Sequence, residues 1–245
     1  WNQDCRGGGA NLHCSVNPVI GRELDPVFRR LQPTGVSKRI AVIGGGPGGL
    51  EASLTAAQRG HSVDLFEASE GLGGQFMYAA SVPSRTNLRA LIDHMTSEAR
   101  REGVRINLGH PVNGPDDLPG EFDEILVATG AVAQPVDPEL HAAGAVSWMS
   151  MMTEGVPQPT GSGNAVFVDD GTGFWWNYGV AEAIIKGGWR LTYVTPAATI
   201  GQNIPFESLP PLLSRLATGP ADLRVLSMLE AFDGKRATIF QFSAG

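Results

Sequence analysis

The hydrophobic positions of the chain alternate between short apolar runs and longer segments of helical character. Four short runs in the first part predict strands: residues 39–43, 61–66, 104–108 and 124–128. Between them, residues 50–57 have helical composition, and residues 86–102 repeat apolar side chains at helical spacing. Strands that alternate with helices favour a parallel sheet, so this part is predicted to be α/β.

The same alternation restarts after a stretch rich in Pro, Gly and Ser at residues 157–164. A strand at 165–168, a helix at about 175–186 and a strand at 190–194 follow. The fold class is therefore predicted as α/β, with two Rossmann-like nucleotide-binding units in tandem after a loop-rich connector. The predicted domains are residues 1–37, 38–160 and 161–245, the last of them incomplete.

Composition and charge narrow the functional classes. The 245 residues are 42% hydrophobic and carry a formal net charge of −7, so no basic field attracts nucleic acid or anionic lipid. No window approaches the roughly 20 apolar residues of a membrane span, and the first residues lack the order of a signal peptide. We predict no nucleic-acid partner, no membrane association and a cytoplasmic protein.

A glycine turn between the first strand and the first helix carries the clearest chemistry. Its predicted cofactor-binding residues are Gly44, Gly46, Pro47, Gly48 and Gly49. In a G-x-G-x-x-G turn the first glycine permits the tight turn, the second lets a pyrophosphate approach the backbone, and the third allows close helix packing. Glu67 follows the second strand, where a carboxylate can accept hydrogen bonds from ribose hydroxyls.

Two further loops are expected at the same ligand. Gly74 and Gln75 form a second glycine-containing loop, and Thr129 and Gly130 follow the strand at 124–128, at the edge where such folds bind ligands. Together these residues predict a site for FAD, or for ADP alone.

The chain resembles the multidomain iron–sulfur flavoproteins that include trimethylamine dehydrogenase, histamine dehydrogenase and 2,4-dienoyl-CoA reductase. The resemblance is carried by these segments: residues 2–5, 14–18, 41–51, 59–61, 65–67, 73–75 and 128–130. It implies a chain from the C-terminal region of such an enzyme, with nucleotide-binding units similar to those of glutathione reductase. An FMN-binding barrel, as a missing domain or subunit, would precede it.

The resemblance also implies a [4Fe–4S] cluster held by cysteines. Cys5 and Cys14, the two cysteines of the chain, match the last two of four cluster ligands, while Trp1 stands where the family has another cysteine. The alternative is a pair of ordinary thiols in a region that has lost its cluster. No catalytic residue is assigned, and the five histidines lack the spacing of a metal site.

The second predicted turn departs from the fingerprint. Asp169 stands where the first glycine belongs and Phe174 where the third belongs, so NAD(P)H binding is not expected there. The loss of this site favours the amine-dehydrogenase branch of the family. In that case the chain is the part of an oxidoreductase that relays electrons to an electron-transfer flavoprotein, and it is inactive without the FMN-binding barrel. The alternatives are an NAD(P)H-dependent enoyl reductase and a non-catalytic nucleotide-binding module. We also expect an oligomer and a chain excerpted from a longer protein.

Overall fold

The computed structural model describes residues 14, 16–17, 19–26, 32–82 and 84–242. The chain divides into two compact units. Within the described residues, the first unit continues to Ala80 and resumes over Asn87–Val132, and the second unit comprises Ser81–Thr86 and residues 133–242.

The first unit is a parallel sheet with helices packed on it. Its elements, in chain order, are β1 (Arg39–Ile43), α1 (Pro47–Gln58), β2 (Ser62–Phe66), α2 (Phe76–Ser81), a 3₁₀ turn (Thr86–Leu88), α3 (Arg89–Arg101), β3 (Arg105–Asn107), a 3₁₀ turn (Pro115–Asp117) and β4 (Glu124–Val127). The strand order is β3-β2-β1-β4, and every pair is parallel. In this register Ile40 lies between Val63 and Glu124.

The core of the first unit lies between the sheet and helices α1 and α3. Its members are apolar side chains of both layers: Ile40, Val42, Leu50, Ala56, Val63, Leu65, Leu91, Ile92, Met95, Ala99 and Val104. The helical spacing of Leu91, Ile92 and Met95 explains why α3 buries that face. Strand β4 differs from the central strands, because all four of its residues are exposed and Val127 is 73% exposed. The apolar sequence of β4 is therefore not matched by burial of this strand in the first unit.

The second unit contains a smaller parallel sheet and a hairpin. Its elements are α4 (Pro138–Ala142), α5 (Trp148–Glu154), β5 (Asn164–Val168), α6 (Trp175–Lys186), β6 (Arg190–Val194), a 3₁₀ turn (Phe206–Ser208), α7 (Leu209–Leu216), β7 (Ala221–Arg224), β8 (Ser227–Phe232) and β9 (Ala237–Gln241). Strands β5, β6 and β7 pair in parallel in that order, and β8 and β9 form an antiparallel pair. The predicted α/β class with repeated strand–helix–strand units is confirmed.

The division between the units lies earlier than the sequence predicted. Trp148, Met151 and Met152 of α5 pack against the buried core of the second unit, so residues 133–160 group with that unit. The prediction ended the preceding domain at residue 160, because the Pro- and Gly-rich stretch at 157–164 is the strongest local loop signal. Trp175 and Trp176 also pack against this core.

Among the helices that the structure describes, none combines the length and the apolar character that a membrane span requires.

Candidate functional site

The turn between β1 and α1 brings the helix very close to the strand. An added Cβ at Gly49 would lie 1.8 Å from the carbonyl oxygen of Gly44, and one at Gly44 would lie 2.4 Å from the carbonyl oxygen of Ala128. Gly44 also has a φ of +107°, which side-chain-bearing residues rarely adopt. These two glycines are therefore required by the packing of the protein itself.

Gly46 is a glycine for which the protein's own packing gives no reason. No heavy atom lies within 4 Å of the position that its Cβ would take, and its φ of −71° suits any residue. Gly46 directly precedes the first turn of α1, where Pro47 occupies the start of the helix and lacks an N–H that would need a partner. The arrangement leaves room for a ligand against the backbone at Gly46.

The N-terminus of α1 has no internal cap. Gly46 provides no side-chain hydrogen bond, and the first turn contains no acidic residue. Uncapped N–H groups and the positive end of the helix dipole attract anions. Gly48, in the first turn, is exposed. This terminus can therefore accept a phosphate group without displacing a protein side chain.

Glu67 follows β2 and reaches the glycine turn with its carboxylate. Its Oε2 accepts a hydrogen bond from the N–H of Gly45 at 2.6 Å, and its Oε1 accepts from the N–H and the hydroxyl of Ser69 at 2.8 and 2.7 Å. Burial by itself raises the pKa of Glu67, but these donors outweigh it and the pKa is lowered. The half-buried carboxylate is thus held ionised beside the turn.

The second predicted loop meets the first. The N–H of Gly73 donates to the carbonyl of Gly45 at 2.8 Å, and a Cβ on Gly74 would lie 3.5 Å from the Cα of Gly46. The Gln75 side-chain amide donates to the carbonyl of Ala131, in the loop that follows β4. One polar side chain therefore joins the second loop to the third.

The third loop continues β4 past its last residue. The N–H of Ala128 donates to the carbonyl of Ile43 at 2.7 Å, which holds the end of β4 against the end of β1. The Cα of Thr129 would lie 3.1 Å from a Cβ on Gly44, and Gly130 has a φ of +75°. The structure thus brings together the predicted residues of all three loops, and their roles toward a ligand stay predictions.

The cysteine region is only partly described. Cys5 lies outside the described residues. Cys14 is described, and its Sγ accepts hydrogen bonds from the N–H groups of Val16 at 3.4 Å and Asn17 at 3.3 Å. In the part of the chain that the structure describes, no group of three or more His, Cys, Asp and Glu side chains is placed to hold a metal ion.

The turn that follows β5 is closed by its own side chains. Asp169 is only 4% exposed, and its carboxylate accepts from the Tyr193 hydroxyl at 2.7 Å and from the N–H of Gly171 at 2.9 Å. The amide of Asn177 donates to Asp169 at 2.5 Å and to Asp170 at 2.9 Å. Asp170 also accepts from the N–H and the hydroxyl of Thr172 at 3.0 and 2.8 Å.

The charges at this turn oppose an anionic ligand. Burial raises the pKa of Asp169, whereas hydrogen bonds from Asn177 and Thr172 outweigh burial at Asp170 and lower its pKa. The turn thus places carboxyl groups where the first turn leaves open space, and the N–H groups of Gly171 and Thr172 donate to those carboxyl groups. A pyrophosphate would meet electrostatic repulsion here.

Sequence reasoning missed the partners of these carboxylates. Ser69 could have been suspected from its position two residues after Glu67, because hydroxyl side chains often bond groups two residues away. Asn177 and Tyr193 lie on α6 and β6, and nothing local in the sequence indicates that they meet at Asp169.

Comparisons with known proteins bear on the class. Residues 38–156 match the family described as pyridine nucleotide-disulphide oxidoreductase. The NADH oxidase of Thermoanaerobacter brockii is 36% identical over 146 residues, which is 58% of this chain and 22% of the relative. The probable N-methylproline demethylase of Rhizobium meliloti is 26% identical over 232 residues, which is 93% of this chain and 33% of the relative.

A solved structure gives the fold of nearly the whole chain. Histamine dehydrogenase from Rhizobium sp. 4-9 superposes with a TM-score of 0.82 at 22% identity, over 96% of this chain and 36% of that one. The chain therefore spans about a third or less of the length of these three proteins.

These findings define the class: residues 38–156 are an oxidoreductase-type flavoprotein domain with a Rossmann-like fold. More particularly, the predicted resemblance to this family of flavoprotein oxidoreductases is confirmed, because the relatives include an NADH oxidase and a probable N-methylproline demethylase, and histamine dehydrogenase has the same fold.

The closed turn of the second unit predicts a stability effect. Replacing Asp169 with Ala removes the shared acceptor of the Tyr193 hydroxyl, the Asn177 amide and the Gly171 N–H, so we expect the free energy of unfolding to fall by about 2–4 kcal/mol. Urea denaturation of both proteins measures this. The control is Asp222→Ala, which removes an exposed carboxylate paired with Arg224 and should cost about 1 kcal/mol or less. Equal effects of the two substitutions would contradict the buried network.

Proposed function

We propose that the first unit binds the adenosine diphosphate part of FAD, or ADP itself. The chain would be the electron-relay portion of an iron–sulfur flavoprotein oxidoreductase that resembles amine dehydrogenases and N-demethylases. The observation that carries the proposal is the open space at Gly46, beside which the second loop lies at Gly74, while the third loop meets the same turn at Gly44. A flavin, when bound, would supply the redox chemistry, and the residues of this chain would hold and orient it.

The pyrophosphate would lie against Gly46 and the first turn of α1. Support comes from the missing helix cap and from the space that a Cβ on Gly46 would fill. Pro47 starts the helix, and the backbone N–H groups of Gly48 and Gly49 lie in its first turn, where the helix dipole adds to the attraction. No positively charged side chain is needed for such a site.

The ribose would be bound by Glu67. Its carboxylate is held at the turn by Gly45 and Ser69 and kept ionised by those donors. An ionised carboxylate accepts hydrogen bonds from ribose hydroxyls, and these are stronger than bonds between neutral groups. Gly74, Gln75, Thr129 and Gly130 would form the opposite wall, since their loops are joined by the Gln75 bond to Ala131.

We further propose an iron–sulfur cluster with Cys14 among its ligands and Cys5 as another. The two N–H groups that donate to the Cys14 sulfur support this, because backbone hydrogen bonds to cluster sulfurs are one of the means by which proteins tune such centres. The competing interpretation is an ordinary thiol with the same backbone contacts.

The remaining partners follow from the length of the relatives. Since the chain spans about a third or less of them, we propose that an FMN-binding barrel, as domain or subunit, accompanies it in the working enzyme. An electron-transfer flavoprotein would be the acceptor.

A second candidate is an NAD(P)H-dependent reductase. The name of the NADH oxidase that is 36% identical favours it. The closed turn at Asp169 and Asp170 disfavours a dinucleotide site in the second unit. We therefore place this candidate below the amine-dehydrogenase type.

The first prediction from this proposal concerns nucleotide retention. Mass spectrometry after denaturation should identify FAD or ADP released from the purified protein, and Gly46→Val should abolish retention, because a branched side chain would occupy the pyrophosphate position. Gly114→Val is the matched control, since Gly114 has equally open surroundings, lies away from the three loops and should leave retention unchanged. Release of FAD would support the electron-relay function, and release of ADP alone would support a non-catalytic nucleotide-binding module. Retention by Gly46→Val would refute the site.

The second prediction concerns NADPH. Anaerobic mixing of NADPH or NADH with the purified flavoprotein should leave the flavin absorbance unchanged on the stopped-flow timescale, because the second turn rejects the pyrophosphate. Dithionite is the positive control for a reducible flavin. Fast, saturable reduction by NADPH would favour the enoyl-reductase candidate instead.

The third prediction concerns iron. Analysis of iron and acid-labile sulfide should find both in the full-length enzyme, which would supply the further ligands of the cluster, and Cys14→Ala should lower both, because a thiolate ligand is lost. The circular dichroism of the variant checks that the fold persists. Absence of iron from the wild-type protein, or an iron content unchanged by the substitution, would support the ordinary-thiol interpretation.

A further inference from the structure

Ser69 is bound to the same carboxylate oxygen twice. Its backbone N–H and its hydroxyl both donate to Oε1 of Glu67, at 2.8 and 2.7 Å. Its carbonyl accepts from the N–H of Gly109 at 3.0 Å, which ties the loop to the chain beyond β3. An exposed serine with three such bonds is held in one place.

The number of acceptor positions on Glu67 limits what it can bind. A carboxylate offers about four lone-pair positions. Gly45 and Ser69 occupy three of them, and the backbone of Ala68 also donates to this carboxylate. Glu67 can therefore take at most one further hydrogen bond, whereas a ribose has two adjacent hydroxyls to donate.

The hydroxyl oxygen of Ser69 is the nearest further acceptor. It lies 2.7 Å from Oε1 of Glu67, belongs to an exposed residue and keeps its lone pairs, because its single hydrogen is used as a donor. That hydrogen has a second acceptor within reach, the carbonyl of Gly71 at 2.8 Å. The hydroxyl can therefore accept a ligand hydrogen bond whichever acceptor it donates to.

We propose that Ser69 completes the ribose site: Glu67 accepts one hydroxyl of the nucleotide through Oε2, and the Ser69 oxygen accepts the adjacent one while holding the carboxylate against Gly45. This rests on the proposed nucleotide function of the first unit. The ligand class is an adenosine nucleotide with both ribose hydroxyls present.

The test compares ADP with 2′-deoxy-ADP and 3′-deoxy-ADP by isothermal titration calorimetry, on purified protein freed of bound nucleotide. The wild type should bind both deoxy nucleotides more weakly than ADP. Ser69→Ala should bind ADP about 2- to 12-fold more weakly, the effect of one neutral hydrogen bond. It should keep its discrimination against one deoxy nucleotide, the one lacking the hydroxyl bound by Glu67, and lose it against the other.

Two further variants separate contact from general damage. Ser69→Thr keeps a hydroxyl and should restore discrimination against both deoxy nucleotides. Ser97→Ala removes an exposed serine hydroxyl of α3, bonded to the carbonyl of Asp93, and should bind all three ligands as the wild type does.

The outcomes that overturn the inference are distinct from failure of the proposed function. Wild-type discrimination in Ser69→Ala, or an equal loss of affinity for all three ligands, refutes the ribose contact while the nucleotide site stands. A wild-type protein that binds none of the three nucleotides refutes the proposed function, and the inference falls with it.

Discussion

The first unit depends on the contact between the start of α1 and the end of β1. A side chain at Gly49 would collide with the carbonyl of Gly44, so the helix can begin directly at the sheet edge only because both residues are glycines. Gly44 in turn leaves no space beside the carbonyl of Ala128, which brings the end of β4 to the same point. The edge at which three loops meet is thus a consequence of backbone packing.

Glu67 connects this packing to chemistry. Its bond to the Gly45 N–H joins the end of β2 to the turn, and the donors at both oxygens keep the carboxylate ionised although it is half-buried. The same bonds leave a limited number of acceptor positions. The polarity of the site is therefore set by a small set of backbone N–H groups, with one hydroxyl from Ser69.

The two units share the strand–turn–helix order, but the charge at the turn differs between them. In the first, the space at Gly46 is empty of side chains. In the second, Asp169 and Asp170 collect donors from their own turn and from Asn177. Since topology is shared, the difference in expected ligand rests on a few side chains. A likeness of fold alone would miss it.

Sequence patterns predicted most of the strands and helices, because the spacing of apolar residues follows the face of the helix or strand that is buried. The glycine turn was also predictable, since backbone geometry restricts Gly44 and Gly49 to one residue type. Exposure of β4 was not, because an edge strand and a central strand can have the same composition. The grouping of α5 with the second unit was not predictable either, because it depends on the packing of Trp148 against core residues that are distant in sequence.

The most direct measurement is a crystal structure of the protein with ADP bound. We expect a pyrophosphate within hydrogen-bond distance of the backbone at Gly46 and the α1 N-terminus, with a ribose hydroxyl on Glu67. A nucleotide bound at the turn after β5, or one in the first unit that leaves Glu67 without a ribose contact, would contradict it.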